Sequence, residues 1–162
     1  MGLGSFFGFG SAARAENKIS ARAAGYHMPL ESNPHERTFM QWPSSAKIYG
    51  GEKYLYDAQD SIAAIANAIA RFEPVVLLAN SEEAEYARKL LNKGVEIWPI
   101  EAQDLWCRDA GPTFVVSQDS KLAVSELNFN GWGDKQDHTF DGQIARRVAE
   151  KMGLEIYMNS LL

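Results

Sequence analysis

An α/β fold is what this 162-residue sequence predicts, and three observations predict it. Short apolar, β-branched runs alternate with stretches whose apolar residues recur at helical spacing. Pro, Gly and Ser fall at the junctions between them. Two of the strand-like runs are separated only by a polar turn, which reads as a hairpin inserted into the alternation.

Taken in order, residues 37–42, "RTFMQW", read as a strand closed by Pro43. The stretch "YDAQDSIAAIANAIARF" reads as a helix, because Ile62, Ile65 and Ile69 recur at helical spacing with alanines beside them. Pro74 follows just beyond its end, and "VVLLA" is then a short buried strand. Ser81 is placed to cap "EEAEYARKLLNK", whose acids lead and whose bases trail, as the helix dipole favours; Gly94 stands where a C-terminal glycine would stop it. "VEIWPI" is the next strand, and "TFVVS" and "KLAVSELNF" form the hairpin around Gln118–Ser120. Phe140, Ile144, Val148 and Met152 line one face of a helix over 139–152, which Gly153 ends before a last strand, "LEIYM".

The composition excludes several classes of function. Sixteen basic and twenty-one acidic residues, fairly well mixed, give a formal charge of −5, so there is no basic patch to displace counterions from nucleic acid. A small cationic ligand suits this balance better. A single cysteine rules out an internal disulfide and a multi-cysteine zinc site, and His27, His35 and His138 do not fall at metal-ligand spacing. No apolar run is long enough to form a membrane-spanning helix. The opening "MGLGSFFGFGSAARAEN" is apolar and ends in Ala13-Arg14-Ala15, which has the form of a signal-peptidase site but lacks the basic region that precedes one. It reads either as the remnant of a secretory signal, implying export, or as a leader of a cytoplasmic protein. In both cases residues 1–24 are expected outside the folded domain, which spans 25–162.

The chemistry-bearing residues concentrate in "DLWCRDAGP". Read as an extended segment, it points residues 104, 106 and 108 to one side and 105, 107 and 109 to the other. Gly111-Pro112 forces a turn, so Asp109 sits at the mouth of a loop. A loop carboxylate beside the Trp106 indole suits a guanidinium or ammonium ion: the oxygens accept a paired hydrogen bond and the ring face attracts the cation. The alternative is an ordinary ion pair beside a core tryptophan. "FNGWG" offers Trp132 as a second aromatic wall, or is simply a tight Gly-dependent connection. His138, near Asp137 and Asp141, is either a general base or an exposed helix-start residue, and Glu31 and Glu36 are cation contacts or solvated acids.

"MPLESNPHERTFMQWP", "EPVVLLA", "DLWCRDAGPTFVV", "LNFNGWGDK" and "FDGQIARRVAEKMG" together resemble, in order and spacing, the N-terminal part of the agmatine deiminases. The resemblance runs from Met28 to Leu162, and its most specific piece is Trp106-x-Arg108-Asp109-x-Gly111-Pro112. It implies a partial pentein-type α/β propeller, a fan of ββαβ units truncated to about its first half. It also implies that Asp109 binds the substrate guanidinium as part of the catalytic machinery, with Trp106 lining the pocket and Trp132 near it. The implied substrate is agmatine, which is hydrolysed to N-carbamoylputrescine and ammonia through a cysteine thiouronium intermediate without metal or organic cofactor. Nucleic acid and membrane are not implied as partners, and a homo-oligomer is left open for the full-length protein. The resemblance places the nucleophilic cysteine, the acid/base histidine and a second carboxylate beyond residue 162. Cys107 falls at the variable position of the motif and is read as a small buried residue. Ser32 stands where the family has Trp, which leaves the role of Glu31 open. The chain is therefore expected to be an inactive N-terminal fragment; the other readings are a guanidino- or polyamine-binding module and a fragment of a peptidyl-arginine deiminase.

Overall fold

A computed structural model describes residues 19–158. In chain order the elements are β1 (Tyr26–His27), β2 (Thr38–Gln41), α1 (Ala46–Tyr49), α2 (Glu52–Ile69), β3 (Val75–Leu78), α3 (Ala84–Leu90) and β4 (Val95–Trp98). There follow α4 (Cys107–Ala110), β5 (Thr113–Ser117), β6 (Leu122–Glu126), α5 (Gly131–Asp134), a 3-10 turn at Asp141–Gln143, α6 (Ile144–Met152) and β7 (Glu155–Met158). None of the helices among the described residues is long and apolar enough to cross a membrane.

The strands form two sheets. β2, β3 and β4 pair in parallel with β3 in the centre. That position explains its unbroken apolar run, because a central parallel strand is covered on both faces. Val75 and Leu77 point to one side, into a cluster with Met40, Trp42, Ile62 and Ala66; Val76 and Leu78 point to the other, toward Trp98, Ile144 and Val148. The second sheet has the order β1-β5-β6-β7, antiparallel except for the β6–β7 pair. The ββαβ unit expected from the sequence is seen in β5–β6–α6–β7. Helix α6 joins the two sheets: Ile144 and Val148 pack toward β3, whereas Ala145 and Ala149 pack on Val124 of β6. The architecture is mixed α/β, and among the described residues the two sheets remain separate and open.

Several local expectations need correction. The folded unit reaches into the segment assigned to the leader, since Ala21 is buried against Val115, Ala123 and Tyr157. The signal-peptide reading of residues 1–18 lies outside the described residues. Helix α2 starts at Glu52, four residues before the predicted Tyr56, and Ile65 is 49% exposed, because Gln59, Ile62, Ala63 and Ala66 form its buried face instead. Ser81 does not cap α3. The helix begins only at Ala84, and the Asn80 carbonyl accepts the backbone N–H groups of Glu83 and Ala84. Gly94 does not stop α3 either, since the chain is already extended at Leu91; Gly153, at φ 67°, does close α6 as expected. Strand β6 ends at Glu126 rather than Phe129, just before Asn128 turns the chain with φ 54°.

Candidate functional site

Residues 103–112 leave the end of β4 and lie against the segment that follows β6. The extended reading of this loop is wrong in its second half, where Cys107–Ala110 form the single turn α4. Its backbone closes tightly, with Asp109 N–H and Ala110 N–H both donating to the Trp106 carbonyl at 3.1 Å and Gly111 N–H donating to the Cys107 carbonyl at 2.9 Å. The turn puts Trp106, 51% exposed, and Asp109, also exposed, at the surface, while Ala110 is buried beneath them.

The second aromatic wall comes from α5, which is helical in its hydrogen bonding but not in its dihedrals. Trp132 and Gly133 have positive φ (57° and 79°), and Asn130 accepts the Gly133 N–H at 2.9 Å. Gly131, at φ 62°, has no room for a side chain, because a Cβ there would lie 2.3 Å from the Gln136 carbonyl oxygen and 2.8 Å from His138 Nδ1. The left-handed turn projects Trp132 so that its indole N–H donates to Asp109 Oδ1 at 3.2 Å. Phe129 supports it edge to face at a centroid distance of 5.0 Å. The structure thus brings Asp109 and Trp132 together and holds Trp106 on the same turn as Asp109.

Other candidates are placed elsewhere. His138 is half-buried rather than at an exposed helix start; its Nδ1 lies 3.1 Å from the Gln136 carbonyl, and its ring meets Phe129 edge to face. Glu31 pairs with Arg108 at 2.7 Å, and Glu36 is exposed beside Arg37. The Arg108–Glu31 pair is 85% and 76% exposed, so Arg108→Ala is expected to leave the urea midpoint unchanged within the error of the measurement. Cys107 is not a thiolate at neutral pH: burial, with a contribution from the Asp141 charge, pushes its thiol up to about 12.

The sequence reading missed the polar layer beneath the loop. Asp104 is buried; its Oδ1 accepts from the Tyr49 hydroxyl at 2.6 Å and from Leu105 N–H at 2.7 Å, and its Oδ2 accepts from Gln136 Nε2 at 2.8 Å. Asp141, 1% exposed, accepts the Gln103 N–H at 2.8 Å on Oδ1 and the Asp104 N–H at 3.2 Å on Oδ2. Gln103 Oε1 accepts the Phe140 N–H at 2.8 Å, and Gln41 Nε2 donates to the Asp104 carbonyl at 3.0 Å. Burial lifts the Asp141 carboxyl to about 6, against the opposing pull of its two backbone donors. A buried acid ahead of helix α6 was visible in the sequence only as a charged residue beside His138.

Asp109, Trp106 and Trp132 stand on open surface. A cleft of about 450 Å³, lined by Arg37, Phe39, Phe114, Val116, Leu122 and Met152 among others, lies away from them. The site is one polar and aromatic wall suited to a planar cation, and among the described residues no cluster of His, Cys, Asp and Glu could hold a metal ion.

The profile of the Porphyromonas-type peptidyl-arginine deiminases matches residues 27–162. The chain belongs to that family. An agmatine deiminase of Pseudomonas aeruginosa is 39% identical over 137 residues, covering 80% of this chain and 36% of its own. An agmatine deiminase of Stutzerimonas stutzeri is 37% identical over 135 residues, again covering 80% of this chain and 36% of its own. Among solved structures, an agmatine deiminase of Enterococcus faecalis superposes with a TM-score of 0.79 at 21% identity, covering 91% of this chain and 41% of that one. The chain therefore spans about two-fifths of the length of the relatives it matches. The named relatives are hydrolytic enzymes, and the likeness supports membership of an enzyme family with the mixed α/β fold.

Proposed function

We propose that this chain carries one guanidinium-binding wall of an agmatine deiminase-like hydrolase, with Asp109 as the carboxylate that grips the substrate. The observation that supports this most is the Trp132 indole N–H bonded to Asp109 Oδ1 at 3.2 Å. That contact orients an exposed carboxylate beside the Trp132 indole and leaves its remaining lone pairs for a forked donor. Trp106, exposed on the same turn, is proposed to cover the cation.

In the proposed reaction, agmatine and water give N-carbamoylputrescine and ammonia. A thiolate adds to the guanidinium carbon, ammonia leaves with a proton from a histidine, and water hydrolyses the thiouronium to the ureido product. Asp109 holds the guanidinium plane during attack and keeps the carbon near the nucleophile. The wall facing it, the nucleophile and the acid/base belong to the remainder of a full-length, pentein-type relative. The only cysteine here, Cys107, has its thiol pushed up to about 12, so the 162-residue chain is proposed to bind without turning over. Agmatine is favoured over peptidyl arginine by the names of the relatives alone.

Calorimetry with agmatine tests the binding. Saturable heat is expected from the wild-type chain and its loss, at least tenfold in affinity, from Asp109→Ala. Equal binding by both proteins would remove Asp109 from the site. The proposal that the chain does not turn over fails if it releases ammonia from agmatine in a reaction that Cys107→Ala abolishes.

A further inference from the structure

The loop that carries Asp109 and the segment that carries Trp132 are joined by ties that the proposed reaction does not use. Asp104 Oδ2 accepts from Gln136, Gln103 Oε1 accepts from Phe140 N–H, and Asp141 accepts both the Gln103 and the Asp104 N–H groups. Asp141 is the centre of this set, because a single carboxylate receives two successive main-chain donors at the root of the loop. It is 1% exposed, and its 3-10 turn leads directly into α6, the helix packed between the two sheets. The Trp132–Asp109 contact lies at the far end of the two segments that Asp141 clamps.

We propose that Asp141 is a positioning residue, whose ionised carboxylate clamps residues 103–110 against residues 131–140 and so sets Asp109 against Trp132, and whose protonation releases that clamp. The proposal deepens the reading of Asp109 as the guanidinium contact and rests on it for its functional meaning. Ionised, Asp141 accepts at both oxygens; protonated, one oxygen becomes a hydroxyl donor and a weaker acceptor, so the bond from one of the two backbone N–H groups is weakened. Burial lifts this carboxyl to about 6, so the change falls within a range where the protein can be studied. The titratable groups facing Asp141 are Asp104 and Asp137, whose charges add to the upward shift, and Tyr49 and Cys107, both held protonated at neutral pH. Gln41 Nε2, 3.4 Å from Oδ1, is the neutral side chain nearest to a third donor.

The test needs no ligand. The side-chain carboxyl carbon of Asp141, the amide signals of Gln103 and Asp104 and the indole N–H of Trp132 are followed by NMR from about pH 5 to about pH 8. All four are expected to move in one step with a shared midpoint near 6, and the amide and indole steps are expected to vanish in Asp141→Asn. A Trp132 indole that stays still while the two amides titrate would show that the clamp is local and overturn the proposal. So would an indole step that survives in Asp141→Asn, which would belong to another group. If the variant does not fold, the wild-type protein still tests the proposal, because an indole midpoint that differs from that of the Asp141 carboxyl carbon would overturn it. Agmatine calorimetry reports separately on Asp109, so loss of that reading leaves this result interpretable.

Discussion

Gly111→Ala is expected to destabilise the chain by about 2–3 kcal/mol and to abolish the agmatine binding proposed above. The residue has an ordinary φ of −74°, so backbone strain is not the cause. What forbids a side chain is proximity: a Cβ at this position would lie 2.2 Å from the Cys107 carbonyl oxygen and 3.0 Å from Cys107 Sγ. The same carbonyl accepts the Gly111 N–H at 2.9 Å, so it cannot turn away without giving up the bond that closes α4. Alanine must therefore open the turn, and that turn holds Asp109 and Trp106. For a domain of this size the stability loss corresponds to a fall of roughly 5–10 °C in Tm. Gly94→Ala is the control: its Cβ would meet only Ala70, at 3.4 Å, and a change within about 0.5 kcal/mol is expected. Equal thermal scans of the two variants would mean that the close approach at Gly111 does not support the loop.

That glycine shows which parts of the fold and site could be read from the sequence. The Gly-Pro pair after Asp109 signalled a turn, and the carboxylate and indole that share this loop were visible as a candidate site, because both depend on residue types close together in the chain. The buried strand β3 was equally visible, since a central parallel strand needs apolar residues on both faces. Where side chains answer to distant partners, the local signal misleads. The start of α3 was placed too early because its acids were assigned to the helix dipole, whereas Glu83 accepts from Trp42 Nε1 at 3.3 Å and from Gln59 Nε2 at 3.1 Å. The polar layer under the loop was hidden for the same reason. Acids are usually exposed, and the partners of Asp104 and Asp141 include Tyr49 and Gln41, from much earlier in the chain. The two glycines of "FNGWG" correctly announced unusual backbone, but that Trp132 itself would take a positive φ depends on its contacts with Phe129 and Asp109.

Replacing Asp141 by Asn is expected to make the chain more stable at neutral pH while loosening the site. The folded state lifts this carboxyl from 3.8 to about 6, so the native protein holds the proton more tightly than the unfolded chain does. Stability from this group is therefore greatest below about pH 4 and declines as pH rises to about 6, where it levels off. A shift of about two pH units corresponds to about 3 kcal/mol over that window. Asp137 and Glu73 act in the opposite sense, since hydrogen bonds from Thr139 and Thr38 respectively lower them, and their contributions appear as pH rises. Urea denaturation of wild type and Asp141→Asn at matched pH values cancels those common terms. The difference should be small near pH 4 and grow in favour of the variant toward pH 7, by up to about 3 kcal/mol, less what Asn loses by presenting one acceptor oxygen to two backbone donors. A difference that does not vary with pH would mean that Asp141 is not the group whose burial is being resisted. A neutral side chain would satisfy the fold at lower cost, so the charge at this position is explained by what it does for the loop: it fixes two main-chain donors at the base of Asp109, at the expense of global stability.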